Sequence, residues 1–217
     1  MTAVEPPAGC TLCPRLAAYR RDVATREPDW FNAPVPSWGS GDARLLVVGL
    51  APGVSGANRT GRPFTGDYAG DLLYATLLGH GFAAGLYAAR PDDGLRLVDC
   101  VVTNAVRCVP PQNKPATVEI ATCRQFLAAQ IAALPKLRAV VTLGRIAHDS
   151  TLRALGARPS ALPFAHGATG TVAGLGIFAS YHCSRYNTNT GRLTPAMFEA
   201  VFAEVRAALG PAPAAKG

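Results

Sequence analysis

Residues 44–67 read RLLVVGLAPGVSGANRTGRPFTGD. The opening run, RLLVVGL, is apolar without alternation, the pattern of a strand buried on both faces in a parallel sheet. The composition then changes: residues 49–67 hold five glycines, two arginines, Phe64 and Asp67. Open α/β sheets bind their ligands in the crevice beyond the carboxyl ends of such strands. The stretch therefore predicts both a fold class and the place of its site.

The rest of the chain repeats the unit. DYAGDLLYATLLGHGF, residues 67–82, predicts a helix that stops at Gly79 or Gly81. A second apolar strand spans residues 97–106, carries Asn104 near its far end and leads into RCVPPQNKP. A helix is expected from about Thr117 to Leu134, then a strand in RAVVTLG (residues 138–144) and a helix over Arg145–Leu155. The last strand, IFAS (residues 177–180), runs into YHCSRYNTNTGRLTP and a helix over Pro195–Leu209. Ahead of these lie a helix at residues 14–26 and a Pro-, Gly- and Ser-rich surface crossing at residues 28–42, pinned by Trp30 and Trp38. Four strands alternating with helices imply a mostly parallel sheet covered on both faces, with right-handed crossovers. Residues 1–209 are expected to form one domain and residues 210–217, GPAPAAKG, a disordered tail.

Among the 217 residues, 49% are apolar, yet no apolar run approaches the roughly 20 residues of a membrane helix. The start, MTAVEPPAGC, lacks the basic and apolar regions of a secretory signal, so a reducing, cytoplasmic setting and no membrane partner are expected. The net charge of +7 comes from 18 arginines and three lysines. Placement says more than number: Arg59, Arg62, Arg107, Lys114, Arg185 and Arg192 all fall in loops that come after strands. An anionic partner such as nucleic acid fits that edge.

Cys10, Cys13, Cys108 and Cys123 form the pattern C-x2-C-x94-C-x14-C. Four thiolates of that kind hold zinc or an iron-sulfur cluster, and spacing alone leaves both open beside a simple redox pair with two buried thiols. Cys100, in the middle of a strand, reads as a core residue, and Cys183 as either reactive or structural. His80, His148 and His166 are read as structural or surface residues.

GLAPG followed by ANRTGRPFTGD, then TNAVRCVPPQNKP, then SYHxSRxNTxTGRLTPAMF, with four cysteines in these places, resembles the type b (family 5) uracil-DNA glycosylases. The likeness spans nearly the whole chain. It implies a three-layer α/β/α sandwich around a four-stranded, mostly parallel sheet, a 4Fe-4S cluster on Cys10, Cys13, Cys108 and Cys123, and excision of uracil from DNA. Other glycosylase families place an acid or amide in the first motif; GLAPG has Ala51 there instead, an absence the type b family shares.

Cleavage of an N-glycosidic bond leaves positive charge on the sugar and negative charge on the base. His182 is then expected to donate a hydrogen bond to the departing uracil, and Asp67 to orient water and favour the cationic sugar. Because the base must leave the duplex to be reached, Phe64 is expected to stack on it. Asn104 would read its edge, and Gly49, Ala51 and Gly53 would let backbone approach it closely. Arg59, Arg62, Arg185 and Asn187 are expected on the DNA backbone. The protein is expected to act as a monomer on single- or double-stranded DNA at the nucleoid, with hypoxanthine and other damaged bases as further substrates. Two readings compete: a phosphate-binding hydrolase with a zinc site, although the loop lacks both GxxxxGK[ST] and GxGxxG, and a non-catalytic binder of damaged DNA.

Overall fold

The structure, a computed structural model, describes residues 4–211. In chain order the elements are α1 (Pro14–Arg26), β1 (Trp38–Gly39), β2 (Leu45–Gly49), α2 (Ala57–Thr60), α3 (Tyr68–Gly79), β3 (Ala83–Ala84), β4 (Arg96–Leu97), β5 (Cys100–Asn104), α4 (Thr117–Ala132), β6 (Ala139–Leu143), α5 (Arg145–Ala154), β7 (Thr169–Val172), β8 (Leu175–Ser180), α6 (Arg185–Asn189) and α7 (Pro195–Leu209). Short 3₁₀ turns lie at Pro111–Asn113 and Pro159–Ala161.

Strands β5, β2, β6 and β8 pair in parallel, as the four apolar runs predict. Side chains alternate across this sheet. Leu45, Val47, Val102, Val141 and Phe178 pack with Leu73, Leu77, Phe198 and Phe202 of α3 and α7. Leu46, Val48, Val101, Val140 and Ile177 pack with Leu127, Ala147 and Leu152 of α4 and α5. Both faces are thus covered, and the polar chemistry is left to the strand ends. A third apolar group, Leu16, Val106, Cys108, Cys123 and Phe126, fixes α1 against α4 beyond the end of β5. The exposed Arg15 adds a 2.7 Å ion pair to Glu119, whose carboxylate also accepts the Ala116 amide at 2.6 Å.

The sheet has six strands, ordered β1-β5-β2-β6-β8-β7, where four were expected. Both additions are antiparallel edges. β1 is two residues of the Pro-rich crossing, held because Trp38 meets Tyr74 edge-on, with ring centroids 5.8 Å apart. β7 arises from a two-residue hairpin at Ala173 and Gly174, both at positive φ (50° and 82°), the conformation a type I′ turn requires. Ala173 in place of Asn or Asp hides that turn from the sequence. The tail expected from residue 210 begins in order, because Arg44 donates to the carbonyls of Leu209 and Pro211 at 2.8 and 2.7 Å. Residues 212–217 of that expected tail lie outside the described residues.

Candidate active site and cysteine pocket

Register brings the first elements of the site together. Gly49, last in β2, pairs with Asn104, last in β5. A side chain at Gly49 would collide with both the Asn104 amide and the Phe64 ring, so only glycine leaves the recess between them open. Phe64 sits at φ 54°, a left-handed conformation that is costly for a bulky residue. Its neighbours over-determine it: the Tyr74 hydroxyl bonds the Pro63 carbonyl, the Tyr87 hydroxyl reaches the Phe64 carbonyl at 3.4 Å, and Gly70 makes room for that same carbonyl. The Phe64 ring then lies nearly parallel to the His182 imidazole, 25° between planes and 6.0 Å between centroids.

Asn104 is 3% exposed, and its Oδ1 has no hydrogen-bond partner among the described residues. A buried acceptor left in that state costs about 1–3 kcal/mol, which a ligand N–H can recover. Leu50, Ala51, Gly53, Asn113, His182 and Ser184 line an adjoining cavity of about 280 Å³. Asn113 and Ser184 lie within the sequence motifs, yet nothing in their spacing singles them out. Only the positive φ of Asn113 (57°) marks its position in the turn.

Asp67 is the N-cap of α3 and accepts the Gly70 amide at 3.2 Å. Gly53 and Gly56 leave the space its carboxylate fills, since a side chain at Gly56 would strike it. Burial pushes the carboxyl above the usual carboxylate range, while the Gly70 and Ala69 amides pull it partly back. His182 is shifted the other way: burial lowers its pKa from 6.5 to about 4, so the imidazole is neutral at neutral pH. The Asn187 side-chain amide holds the His182 carbonyl at 2.8 Å. Across the mouth, Thr188 bonds the Tyr68 hydroxyl at 3.1 Å and Arg185 stacks 5.2 Å over the Tyr68 ring. The loop of Asp67 and the loop of His182 are therefore clasped to each other.

The arginines divide. Arg59 and Arg185 are exposed. Arg62, expected on DNA, is 4% exposed and forks onto Asp93 at 2.9 and 2.8 Å while stacking 4.7 Å over Trp38. Its guanidinium holds the Asp93 carboxyl well below the usual carboxylate range. The expectation is corrected: this arginine closes the loop rather than facing DNA. Arg62→Met strands a buried carboxylate and is expected to cost about 3–5 kcal/mol. That corresponds to roughly 6–20 °C in thermal midpoint. A melt unchanged within about 2 °C would contradict the assignment.

Cys10, Cys13, Cys108 and Cys123 line one small pocket with Leu16, Arg107 and Phe126. Burial and nearby thiols raise Cys13 to about 11 and Cys108 to about 12, and raise Cys123 as well. Among the described residues no three or more His, Cys, Asp or Glu side chains gather closely enough to grip one metal ion. Arg107 donates its backbone amide to the Cys123 Sγ at 3.3 Å. Its guanidinium is 1% exposed, with Nε and Nη2 unpartnered among the described residues; the Nε of the buried Arg20 is likewise unpartnered. Cys183 is buried and donates to the Ala69 carbonyl at 3.4 Å, and Cys100 lies in the core as expected, although it is the first residue of β5 and not in mid-strand.

Fold and recess define an α/β protein with a cavity beyond the carboxyl ends of its parallel strands. The chain belongs to the uracil-DNA glycosylase superfamily, whose sequence model matches residues 36–206. It is 46% identical to a type-5 uracil-DNA glycosylase of Thermus thermophilus, over 95% of this chain and 97% of the relative. A type-5 enzyme of Pyrobaculum aerophilum is 43% identical (85% and 82% covered), and one of Mycobacterium tuberculosis 42% identical (93% and 78% covered).

Proposed function

We infer that this protein hydrolyses the N-glycosidic bond of uracil in DNA and leaves an abasic site. One observation carries the reading: a buried, unpartnered amide oxygen at Asn104, the Phe64 face and a neutral imidazole meet at the end of a glycosylase sheet. A uracil swung out of the helix would stack on Phe64 and give its N3–H to the Asn104 Oδ1, leaving the amide NH₂ for O4. Cytosine lacks a proton at N3, so this acceptor discriminates against it. As the bond breaks, the neutral His182 donates a hydrogen bond to O2, a stabilisation of roughly 3–4 kcal/mol in oxyanion-type sites. Asp67, ionised, holds water against the cationic sugar. Gly49, Ala51 and Gly53 let the base approach the backbone, while Arg59 and Arg185 hold phosphates and Asn187 steadies the histidine loop.

Cys10, Cys13, Cys108 and Cys123 would hold a 4Fe-4S cluster, which when bound cross-links α1 to the loop after β5 and to α4. Four thiols round one pocket are the donor set such a cluster needs, and buried guanidinium N–H groups suit its negative charge. We place the enzyme in the nucleoid as a monomer with one domain over residues 1–209, acting on single- or double-stranded DNA, with hypoxanthine among further bases.

The direct test is incubation with a uracil-containing oligonucleotide, followed by alkali. Alkali-labile abasic sites are expected, and their absence at enzyme excess overturns the reading. The pH profile is a second expected outcome. Asp67 must be ionised, and its folded pKa is raised, so activity falls as pH drops through a value above the ordinary carboxylate range. His182 keeps its neutral form down to near pH 4. A kcat profile flat down to pH 4 would contradict the Asp67 assignment.

A further inference from the structure

Around the stacking ring, the carbonyls of residues 63 to 65 are each held by a side-chain hydroxyl. Tyr74 and Thr65 both donate to the Pro63 carbonyl, the second at 3.2 Å, and Thr60 donates to that of Thr65 at 3.0 Å. These three donors belong to the loop after β2 and to α3. The carbonyl between, that of Phe64, meets one donor among the described residues, the Tyr87 hydroxyl at 3.4 Å. That donor comes from elsewhere: Tyr87 lies in the β3–β4 hairpin, 23 residues further along the chain.

The hairpin is fixed where it presents this residue. At its base Ala83 pairs with Leu97, and the Val98 amide donates to the Phe82 carbonyl at 2.8 Å. Towards its tip the buried Asp93 carboxylate accepts the Ala88 and Leu95 amides at 2.8 and 3.1 Å while it takes the Arg62 fork. One carboxylate thus ties the hairpin to the loop just before Phe64. The Tyr87 ring packs on Tyr74 with centroids 4.7 Å apart, and its hydroxyl lies beside Gly70, where a side chain would strike both that hydroxyl and the Phe64 carbonyl. Burial and the Asp71 and Asp67 carboxylates push the hydroxyl up to about 12, so at neutral pH it keeps its proton and donates.

A bulky residue at φ 54° stays there only while its surroundings hold it. Without a donor on its carbonyl, the Phe64 peptide is free to turn towards ordinary backbone and carry the ring out of its 25° alignment with the His182 imidazole. We propose that Tyr87 is a positioning residue for uracil excision: through the Phe64 carbonyl, the β3–β4 hairpin keeps the stacking ring where a flipped uracil needs it. The proposal rests on the uracil-excision reading, since it assigns the base to the Phe64 face. Tyr87 acts through the backbone of Phe64, and the bond from Gly70 to Asp67 does not involve it. Retention of the flipped base therefore depends on Tyr87, while the bond-breaking step does not.

The test is Tyr87→Phe in the full chain, which keeps the ring on Tyr74 and removes the hydroxyl, alone and combined with Phe64→Gly. Glycine takes the left-handed conformation without strain and carries no ring. Fluorescence anisotropy gives the affinity for an abasic-site oligonucleotide and for one with 2′-fluorouracil, whose electron-withdrawing fluorine disfavours the cationic sugar and so suppresses cleavage. Single-turnover excision at saturating enzyme is measured on the ordinary uracil strand. Tyr87→Phe is expected to bind the fluorouracil strand about fivefold more weakly, the size of one lost hydrogen bond, and to keep both abasic-strand affinity and saturated rate within about twofold of wild type. In the Phe64→Gly background, Tyr87→Phe is expected to change nothing further, because the two residues act as one unit. Partial unfolding would instead lower the active fraction for both strands alike. Fluorouracil affinity within about twofold of wild type, equal losses on the two strands, or the same fivefold loss in the Phe64→Gly background overturns the proposal. A wild type that binds the fluorouracil strand but releases no uracil from the ordinary one faults the excision reading alone, and the affinity series still decides Tyr87.

Discussion

Asp67→Asn is expected to lower single-turnover excision by about 10²–10⁴-fold, the range that a positioned acid or base contributes. Affinity for a uracil oligonucleotide is expected to stay within about threefold. The separation follows from the two tasks proposed for the residue. As N-cap of α3 it accepts the Gly70 amide at 3.2 Å, and asparagine caps helices as well as aspartate does, so the start of the helix survives. Shape survives too, since the amide fills the space beside Gly53 and Gly56. The charge proposed to favour a cationic sugar and orient water is what disappears. Burial makes the site sensitive to that loss, because little solvent screens the carboxylate from the recess. Rapid-quench kinetics with enzyme in excess gives the rate, and fluorescence anisotropy the affinity. Excision within about threefold of wild type would remove Asp67 from the chemistry, whereas equal losses in rate and binding would assign it to capping alone.

Much of this geometry is legible in the sequence, for reasons that differ by residue. The buried parallel strands announce themselves because LLVVG and AVVTL must be apolar on both faces, and that constraint leaves no polar alternation. Strand-end residues such as Asn104 stand out as polar positions where an apolar run stops. Arg62 reads as a DNA contact because its partner, Asp93, is 31 residues away and nothing local signals the pair. The edge strands are hidden for a related reason. β1 is two residues long and exists through Trp38 packing, and the β7 hairpin turns on an alanine in a conformation that sequence rules assign to Asn or Gly. Long-range pairing, unlike periodicity, leaves no local imprint.

Cys108→Ser is expected to cost iron and stability together. Cys108 comes soon after β5, and Cys10 and Cys13 precede α1, so the proposed cluster would join segments about 95 residues apart in the chain. Without it, α1 is held to the body by the small Leu16, Val106 and Phe126 group and by the half-exposed Arg15–Glu119 pair. Exposed pairs of this kind contribute at most about 1 kcal/mol. Arg107, whose Nη1 pairs with Glu5 at 2.8 Å, would keep its Nε and Nη2 unpartnered, as Arg20 would its Nε, a penalty that works in the same direction. Loss of a structural metal group belongs with the few changes that exceed about 4 kcal/mol, so the variant should melt far below wild type or fail to accumulate as folded protein. Cys183→Ser supplies the control: that thiol is buried but lies against the Ala69 carbonyl, outside the pocket. It should lose at most a few kcal/mol while keeping full iron content and the visible absorbance of a cluster. Iron analysis, visible spectra and thermal unfolding on both variants decide the point. A Cys108→Ser protein that lacks iron yet melts with the wild type would show that α1 is anchored by packing alone.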